Sequence, residues 1–498
     1  MGDATRPAVG ARAKIHYGEE TTYGQMATLD HVLRFTSESV VNELNVLVSA
    51  ELRDDRAYNT SVIGSSSVGG DINYEQNTEG QSIFLKHGYG EHLTMQGVDG
   101  GIAAISTMAF DNDSTSDLPT DRNLVTEGFD SGGGNGVIIQ RDLTTKDLTY
   151  ESFSYSGIGG TDNNTFTGVG ATGGGTLSTD YSKGSRIFSE DSTNWSLVYT
   201  HLIDVAPVLP TGLSLEILRD IVAFFYTGCK VNTLNEVFPS NDICTGTYGM
   251  MGKIEQSVGL LGAAASIGDT YIVLRNATEY GMFPSGGGTL IIGQETNITY
   301  TGKAIVSNEY RLTGIPGAGD NSIEVDHAIN APVSLQSTTG SGSVSDTDPL
   351  SSFMGEFFFD STSYEIMSGE YTINNNLFPD KIPFGEIGRA KLPEQQREVT
   401  GTFNIEFDDM LMYAKFVNGL AAKAEIACID DTVDGEIDDS DVFRQKYVVF
   451  PSIKFNGTTP TVADANLITV DMPFQAFPDD ENNLPEAYCI LVNSESSI

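Results

Sequence analysis

The sequence contains few cysteines and no long apolar run. No stretch of about 18 consecutive apolar residues occurs, so the sequence predicts no membrane-spanning helix. The N-terminal stretch carries Arg6, Arg12 and Lys14 without an apolar segment, and we expect no secretory signal there. Four cysteines in 498 residues are too few for a disulfide scaffold, and no pair has metal-ligand spacing. We interpret them as reduced core thiols: Cys229, Cys244, Cys428 and Cys489.

Basic residues are also scarce. The chain has 27 Lys and Arg against 68 Asp and Glu, which gives a net charge of −41 and a pI near 4.2. Such a surface repels nucleic acid and anionic membranes, and no Lys/Arg cluster of the kind that follows a nucleic-acid groove is present. Two explanations remain open. One is solubility in high salt, where the Debye length shortens to about 3 Å at 1 M. The other is a surface past which a polyanion moves without binding.

No catalytic signature is present. The six histidines show no zinc-protease or paired spacing, and no Gly-x-Ser-x-Gly elbow occurs. Carboxylates are so abundant that no acid/base pair stands out. An acidic string at 430–441 approximates a calcium loop, with Asp430, Asp434, Gly435 and Asp441 in register. Its third and last ligand positions depart from the pattern, because they hold Thr432 and Asp441. We interpret it as an acidic hairpin tip, and the sequence predicts neither a metal site, nor a cofactor, nor an enzyme.

Alternating β-branched and apolar residues dominate the chain, and 54 glycines punctuate it. The clearest helix signal is Asp408–Val417, ended by Gly419. Glycine runs between 111 and 185 predict long loop excursions, and residues 338–352 read as a flexible linker. The predicted fold class is therefore mainly β. Strands are predicted at Gly69–Glu75, Leu213–Ile217, Tyr271–Leu274, Thr289–Ile292, Thr402–Phe407, Tyr447–Phe450 and Leu467–Met472.

An internal repeat predicts the architecture. Val68–Glu75 matches Val399–Glu406, and each copy is followed by a short helical segment ending in glycine. Further strand pairs follow in order: Leu213–Ile217 with Ala424–Cys428, Phe225–Leu234 with Tyr447–Phe455, and Ile243–Gly252 with Leu467–Phe477. The sequence thus predicts one β fold used twice, with one short helix per copy. The expected domains are 1–253, which includes the 111–185 excursion, a small β domain at 257–337, the linker at 338–352, and 353–498.

Several segments resemble phage tail tube (major tail) proteins over a little more than half of the chain. They are Tyr17–Gly24, Phe35–Ser39, Glu51–Arg56, Val68–Ile72, Tyr226–Asn232 and Thr245–Lys253. The resemblance implies a virion structural protein made in the host cytoplasm. Its β-sandwich units would join across subunits into a barrel, and its rings would stack and conduct the viral DNA during ejection. The implied partners are further copies of the chain and other tail proteins, with the DNA passing through unbound. The 257–337 unit resembles small β modules of tail proteins, expected on the outer surface.

Two other functions stay open at this point. A secreted or cell-surface adhesin built of β modules would need an export signal. A glycan hydrolase would need a carboxylate pair in an aromatic cleft, and the chain has a single tryptophan, Trp195.

Two copies of the fold per chain predict a trimeric, pseudo-sixfold ring, with a true hexamer as the alternative. We expect Asp71 and Glu406 to face the lumen. The segments 36–66 and 371–398 lie at equivalent places in the two copies, before the matched strand. We expect both to act as polar arms that reach a neighbouring subunit or ring; an ordinary solvated hairpin is the alternative. The contact candidates are Arg53, Asp54, Asp55 and Arg56 in the first arm and Arg389, Lys391 and Arg397, beside Glu386 and Glu394, in the second.

Overall fold

The protein is built almost entirely from antiparallel strands, which confirms the mainly β prediction. None of the helices among the described residues has the length and apolar character needed to cross a membrane. The computed structural model describes residues 9–50, 60–110, 117–127, 129–141, 148–171, 177–191, 195–220, 222–336, 347–379, 381–384, 388–406, 411–432, 435–437, 442–456 and 469–496.

The N-terminal part begins with a 3-10 turn at Gly10–Arg12, and the short helical segment that the sequence predicted after the first matched strand is present as a buried helix. Ile83, Phe84 and Leu85 of this helix are all buried because it packs against strands of the main sheet, and the chain leaves it at Gly90, whose φ is +131°. The elements are β1 (Lys14–Glu19), β2 (His31–Leu33), β3 (Ser37–Glu38), β4 (Val41–Val48), β5 (Ser61–Glu75), α1 (Ser82–Tyr89) and β6 (Gly90–Gln96).

The expected loop excursion is instead a folded β unit, which corrects the sequence interpretation. It has its own core around Phe153 and Phe166, and Arg122 donates to the buried Glu425 carboxylate at 2.6 and 2.7 Å. Gly134 and Gly136 lie within one of its strands, and Gly157 and Gly159 within another, so the glycines that predicted loops are partly strand residues. The strands are β7 (Val98–Ile105), β8 (Leu118–Pro119), β9 (Gly134–Arg141), β10 (Leu148–Tyr155), β11 (Gly157–Gly159), β12 (Thr165–Thr167), β13 (Gly170–Ala171) and β14 (Arg186–Glu190).

The chain then returns to the main sheet and afterwards forms a small separate unit. The return comprises β15 (Tyr199–Val205), β16 (Leu213–Arg219), β17 (Val222–Phe238), β18 (Thr245–Gly252) and β19 (Ile254–Glu255). The small unit packs around Leu290 and Ile298 in a core of its own. It comprises β20 (Gly259–Leu260), β21 (Tyr271–Leu274), α2 (Ala277–Gly281), β22 (Gly288–Ile292), β23 (Glu295–Tyr300), β24 (Gly302–Val306), β25 (Glu309–Thr313) and β26 (Pro332–Leu335).

The C-terminal part repeats the N-terminal order, again after a 3-10 turn, at Ser352–Met354. The predicted helix is present, and its described part begins at Leu411. The elements are β27 (Gly355–Phe359), β28 (Thr362–Tyr364), β29 (Ile366–Asn374), β30 (Glu398–Glu406), α3 (Leu411–Asn418), β31 (Ala422–Asp430), β32 (Arg444–Phe455), β33 (Thr469–Ala476) and β34 (Tyr488–Asn493).

Strand pairing gives the two copies the same topology. The first repeat has the lateral order β2-β1-β16-β17-β18-β5-β3/β4, and the second has β28-β27-β31-β32-β33-β30-β29. A bulge falls at the same place in both, between Leu213 and Leu215 and between Ala422 and Ala424. Leu213 is therefore equivalent to Ala422, two residues before the position that the sequence comparison predicted. A two-residue slip keeps every side chain on its face, so alternation alone does not exclude it.

Candidate assembly surfaces

The two repeats join edge to edge into one continuous sheet. Residues 233–238 of β17 pair with residues 369–374 of β29 in antiparallel register, from Thr233 opposite Asn374 to Phe238 opposite Gly369. The sheet therefore runs β4-β5-β18-β17-β29-β30-β33 without interruption. Strand pairing with side-chain packing is the usual way in which a β protein covers an open edge.

A buried polar cluster stabilises this junction. The Lys446 ammonium lies 2.5 Å from Glu236 Oε1 and also donates to Gln76 Oε1 at 2.9 Å. The hydroxyls of Tyr74 and Tyr371 donate to the two oxygens of Glu236 at 2.8 and 2.6 Å. Burial alone would lower the pKa of Lys446, but the carboxylate beside it raises that pKa above its ordinary value. Because Lys446 and Tyr371 come from the second repeat, the cluster fixes both the charge state and the register of the contact. Sequence reasoning missed it, since its members are far apart in the chain.

The connection between β29 and β30 extends over the first repeat. Arg389 is buried, and its guanidinium donates to the carbonyls of Val68, Gly252 and Pro379 at 2.8, 3.0 and 2.9 Å. Glu394 accepts from Lys230 at 2.7 Å, and Leu377 and Leu392 pack with Leu209. The segment 371–398 is thus an arm that binds the neighbouring repeat of its own chain.

The other contact candidates of this arm differ from Arg389. Arg397 donates to Ala206 O at 2.6 Å and to Glu486 at 2.8 Å, so it also acts within the chain, whereas Lys391 is exposed. Glu386 and the whole group Arg53, Asp54, Asp55 and Arg56 lie outside the described residues.

The equivalent arm of the first repeat is the β4–β5 hairpin, and it protrudes. Leu44, Leu47 and Val62 are 55%, 51% and 59% exposed, and Val46 and Val48 are similarly exposed. The expectation of a polar arm is therefore wrong for its described part; the run Leu44–Val48 was the sequence signal that could have revealed an apolar one. Exposed apolar strands of this kind mark an interaction surface or an aggregation hazard.

The face of the continuous sheet that points away from the core is polar. Asp71 and Glu406 both lie on it, because the core-facing neighbours are Ile72 and Tyr74 in β5 and Phe403 and Ile405 in β30. Side-chain hydrogen bonds cross this face, including Thr247 to Asn73 at 2.7 Å and Asn235 to Thr372 at 3.0 Å. No lysine or arginine occurs in residues 61–75, 233–238, 245–252, 366–374, 398–406 and 469–476.

No residues described in the structure form a group of three or more metal-ligating side chains. In the calcium-like string, Asp430 accepts a hydrogen bond from the Thr432 hydroxyl at 2.7 Å, and Asp434 and Asp441 lie outside the described residues.

A comparison with curated proteins finds no match for this chain. The family model described as phage tail tube protein matches residues 10–476, nearly the whole length. The chain therefore belongs to the phage tail tube protein family: it is a structural component of the virion that assembles with copies of itself and with other tail proteins into a tube, and it is not an enzyme.

Proposed function

We propose that three chains close into a pseudo-sixfold ring, and that the rings stack into a conduit through which the viral DNA is ejected. The observation that carries this proposal is the pairing of β29 with residues 233–238. Edge β3–β4 of the first repeat is equivalent to β29, because Ser37 pairs with Asn73 as Ser368 pairs with Asn404. Edge β3–β4 of one chain could pair with the second repeat of a neighbouring chain, as β29 pairs with the first repeat within the chain. Each repeat would then be related to the next by the same rotation, and six repeats would close the sheet into a ring.

The arms support this mode of closure. Within the chain, Glu394 of the second arm binds Lys230. The residue equivalent to Lys230 in the second repeat is Lys454. Lys230 pairs with Met251, which pairs with Gly69 on its other side. Lys454 pairs with Gln475, which pairs with Thr400, the equivalent of Gly69. Lys454 is exposed. We propose that the first arm of a neighbouring chain covers it, with the exposed apolar residues of β4 and β5 in the contact and Arg53, Asp54, Asp55 and Arg56 fixing the register. Lys391 remains a proposed contact to a further subunit or ring.

The polar face of the sheet is the proposed lumen wall. It carries acids and amides without any basic residue in the strand segments named above, so DNA would meet repulsion and no phosphate-neutralising side chain. Asp71 and Glu406 stand there with four further acids on the same face: Glu75, Glu370, Glu398 and Asp471.

We propose that the repeats are two tail tube domains, within 1–253 and 353–498, and that the 257–337 unit lies on the outside of the tube. The unit follows β19, which pairs with Tyr226 and Thr227 in the N-terminal half of β17. That half pairs with β16, in the layer away from the proposed lumen wall.

Electron microscopy of the purified protein tests the proposal. Negatively stained samples should contain rings or tubes, and averages viewed along the axis should show three outer densities for the 257–337 unit around a sixfold wall. Six equal outer densities would contradict the trimer. A protein that stays monomeric at high concentration would contradict ring assembly itself.

A further inference from the structure

The segment 347–351, which leads into the second repeat, is bound to the first repeat. Leu350 is 2% exposed; its N–H donates to Gln76 O at 2.8 Å, and its carbonyl accepts from Cys244 N–H at 2.8 Å. Thr347 O accepts from Arg34 Nη1 at 2.7 Å and from Asn77 Nδ2 at 2.9 Å. This segment therefore adds backbone pairing across the end of β5 and the start of β18.

The N-terminal segment holds the same position relative to the first repeat. The 3-10 turn Gly10–Arg12 precedes β1 as Ser352–Met354 precedes β27, and Ile15 pairs with Leu33 as Phe357 pairs with Tyr364. With this alignment, Thr5-Arg6-Pro7 falls on Thr347-Asp348-Pro349. Threonine and proline recur, and the residue between them changes from acidic to basic.

The surface of the second repeat shows the complementary change. The residue equivalent to Arg34 is Glu365, by the same registers that align Leu33 with Tyr364 and Ser37 with Ser368. Glu365 is exposed. It lines a cavity of about 740 Å³ together with Glu406, which is the equivalent of Glu75, and with the apolar residues Phe357 and Ile366. In the first repeat, Arg34 thus binds the backbone of Thr347, the residue before Asp348. In the second repeat, Glu365 would stand at the equivalent place, next to Arg6.

We propose that residues 5–9 of one copy of this chain bind the second repeat of a neighbouring copy at the surface formed by Glu365 and Glu406, as residues 347–351 bind the first repeat within the chain. Residues 3–8 lie outside the described residues. The chain's own second repeat pairs with residues 233–238 of the first repeat. The N-terminal segment instead leads into β1, and in the proposed ring edge β3–β4 of the same repeat meets the next chain. We therefore assign the contact to a neighbouring copy. The inference rests on the proposed ring, in which that edge meets the next chain's second repeat.

A charge exchange tests the contact. In a purified protein that forms rings, Arg6→Glu and Glu365→Arg should each raise the concentration needed for assembly about three- to tenfold, measured by analytical ultracentrifugation. The double variant Arg6→Glu/Glu365→Arg should return to within about twofold of the original. Glu324→Arg, an exposed acid in the small β unit, is the control and should have little effect. Additive losses in the double variant would overturn the inference.

A crosslink gives an independent readout. Thr5→Cys combined with Glu365→Cys should give chains joined by intermolecular disulfides when assembled rings are oxidised with copper phenanthroline, and Thr5→Cys with Glu324→Cys should not. The native thiols are buried, so they contribute little background. A disulfide confined to single chains would overturn the proposal. If a variant that lacks residues 2–8 forms rings at the original concentration, the proposed contact is wrong but the proposed ring is not. If the unaltered protein forms no rings, the proposed function itself is wrong.

Discussion

At the scale of single residues, the junction between the repeats depends on charges that are buried together. Glu236 and Lys446 are both inaccessible to solvent, and each has hydrogen-bond partners besides the other. Two buried charges offset their loss of hydration only while both are present and hydrogen-bonded. Loss of either partner alone would therefore leave an uncompensated buried charge at the contact between the repeats.

Lys446→Ala should lower the free energy of unfolding by about 3–5 kcal/mol, because it leaves Glu236 buried without its counter-charge. Lys454→Ala, in the same strand but exposed, should change it by about 0.5 kcal/mol or less. Urea denaturation of the unassembled protein measures both. Equal effects of the two substitutions would show that the buried pair has no special weight.

Glu19 gives the fold a dependence on acid pH. Its carboxylate lies 2.8 Å from Lys86 and 2.9 Å from His87 Nε2, tying β1 to α1. Partial burial alone would raise the pKa of Glu19, but the hydrogen bonds and charges of His87 and Lys86 lower it from 4.5 to about 2. A carboxyl whose pKa is lower in the folded state stabilises the fold above its unfolded value and loses that contribution as pH falls.

We therefore expect this contribution to be present above about pH 4.5 and to be lost as pH falls toward about 2. Glu19→Gln should lower the melting temperature at pH 7, and the difference from the unaltered protein should shrink across that interval. Thermal unfolding followed by circular dichroism at a series of pH values measures this. A constant difference at every pH would contradict it.

At the scale of elements, the β4–β5 hairpin is the feature that the monomer does not explain. Its apolar side chains are exposed on both faces, while the equivalent arm of the second repeat is packed against the first. The difference follows from chain connectivity, because only the second arm has a neighbouring repeat in its own chain.

Val46→Asp with Leu47→Asp should abolish ring formation and leave the monomer folded, since the altered side chains contact solvent in the isolated chain. Size-exclusion chromatography with circular dichroism separates the two effects. The matched control is Ile305→Asp with Val306→Asp on β24, also exposed apolar neighbours, which should assemble normally. Rings of ordinary size from the Val46/Leu47 variant would remove the hairpin from the assembly surface.

At the scale of the whole molecule, the distribution of charge matters more than its total. The net charge of −41 is spread over the chain, but the strand segments 61–75, 233–238, 245–252, 366–374, 398–406 and 469–476 contain no basic residue. If these segments line the lumen, as proposed above, the wall would repel phosphate along the whole tube, and the absence of affinity for DNA would need no specific site.

Asp71→Lys with Glu370→Lys, two exposed acids on the polar face of the sheet, should leave assembly intact and make the tubes retain double-stranded DNA at low salt, with retention falling steeply as salt rises. A gel-shift series with short DNA duplexes measures this, and the unaltered tubes should show no shift. Glu324→Lys adds a positive charge on the small β unit and serves as the control for charge alone. Equal retention by both variants would place Asp71 and Glu370 outside the DNA path.

The sequence by itself determined the class of fold, the order of the repeated elements and the family. Alternation of polar and apolar residues is local, so strands such as Tyr271–Leu274 are visible without any knowledge of their partners. The resemblance to tail tube proteins was carried by short strings distributed along the chain, and the family match confirms it.

The tertiary structure decided what depends on contacts between distant residues. The two-residue offset between Leu213 and Ala422, the folded state of the 111–185 region and the burial of Arg389 are all fixed by pairing across long separations. Composition assigned Arg389 and the β4–β5 hairpin to polar arms alike. The structure distinguishes them because a side chain's environment is set by whichever strand or repeat lies beside it, and a period of two residues carries no information about that neighbour.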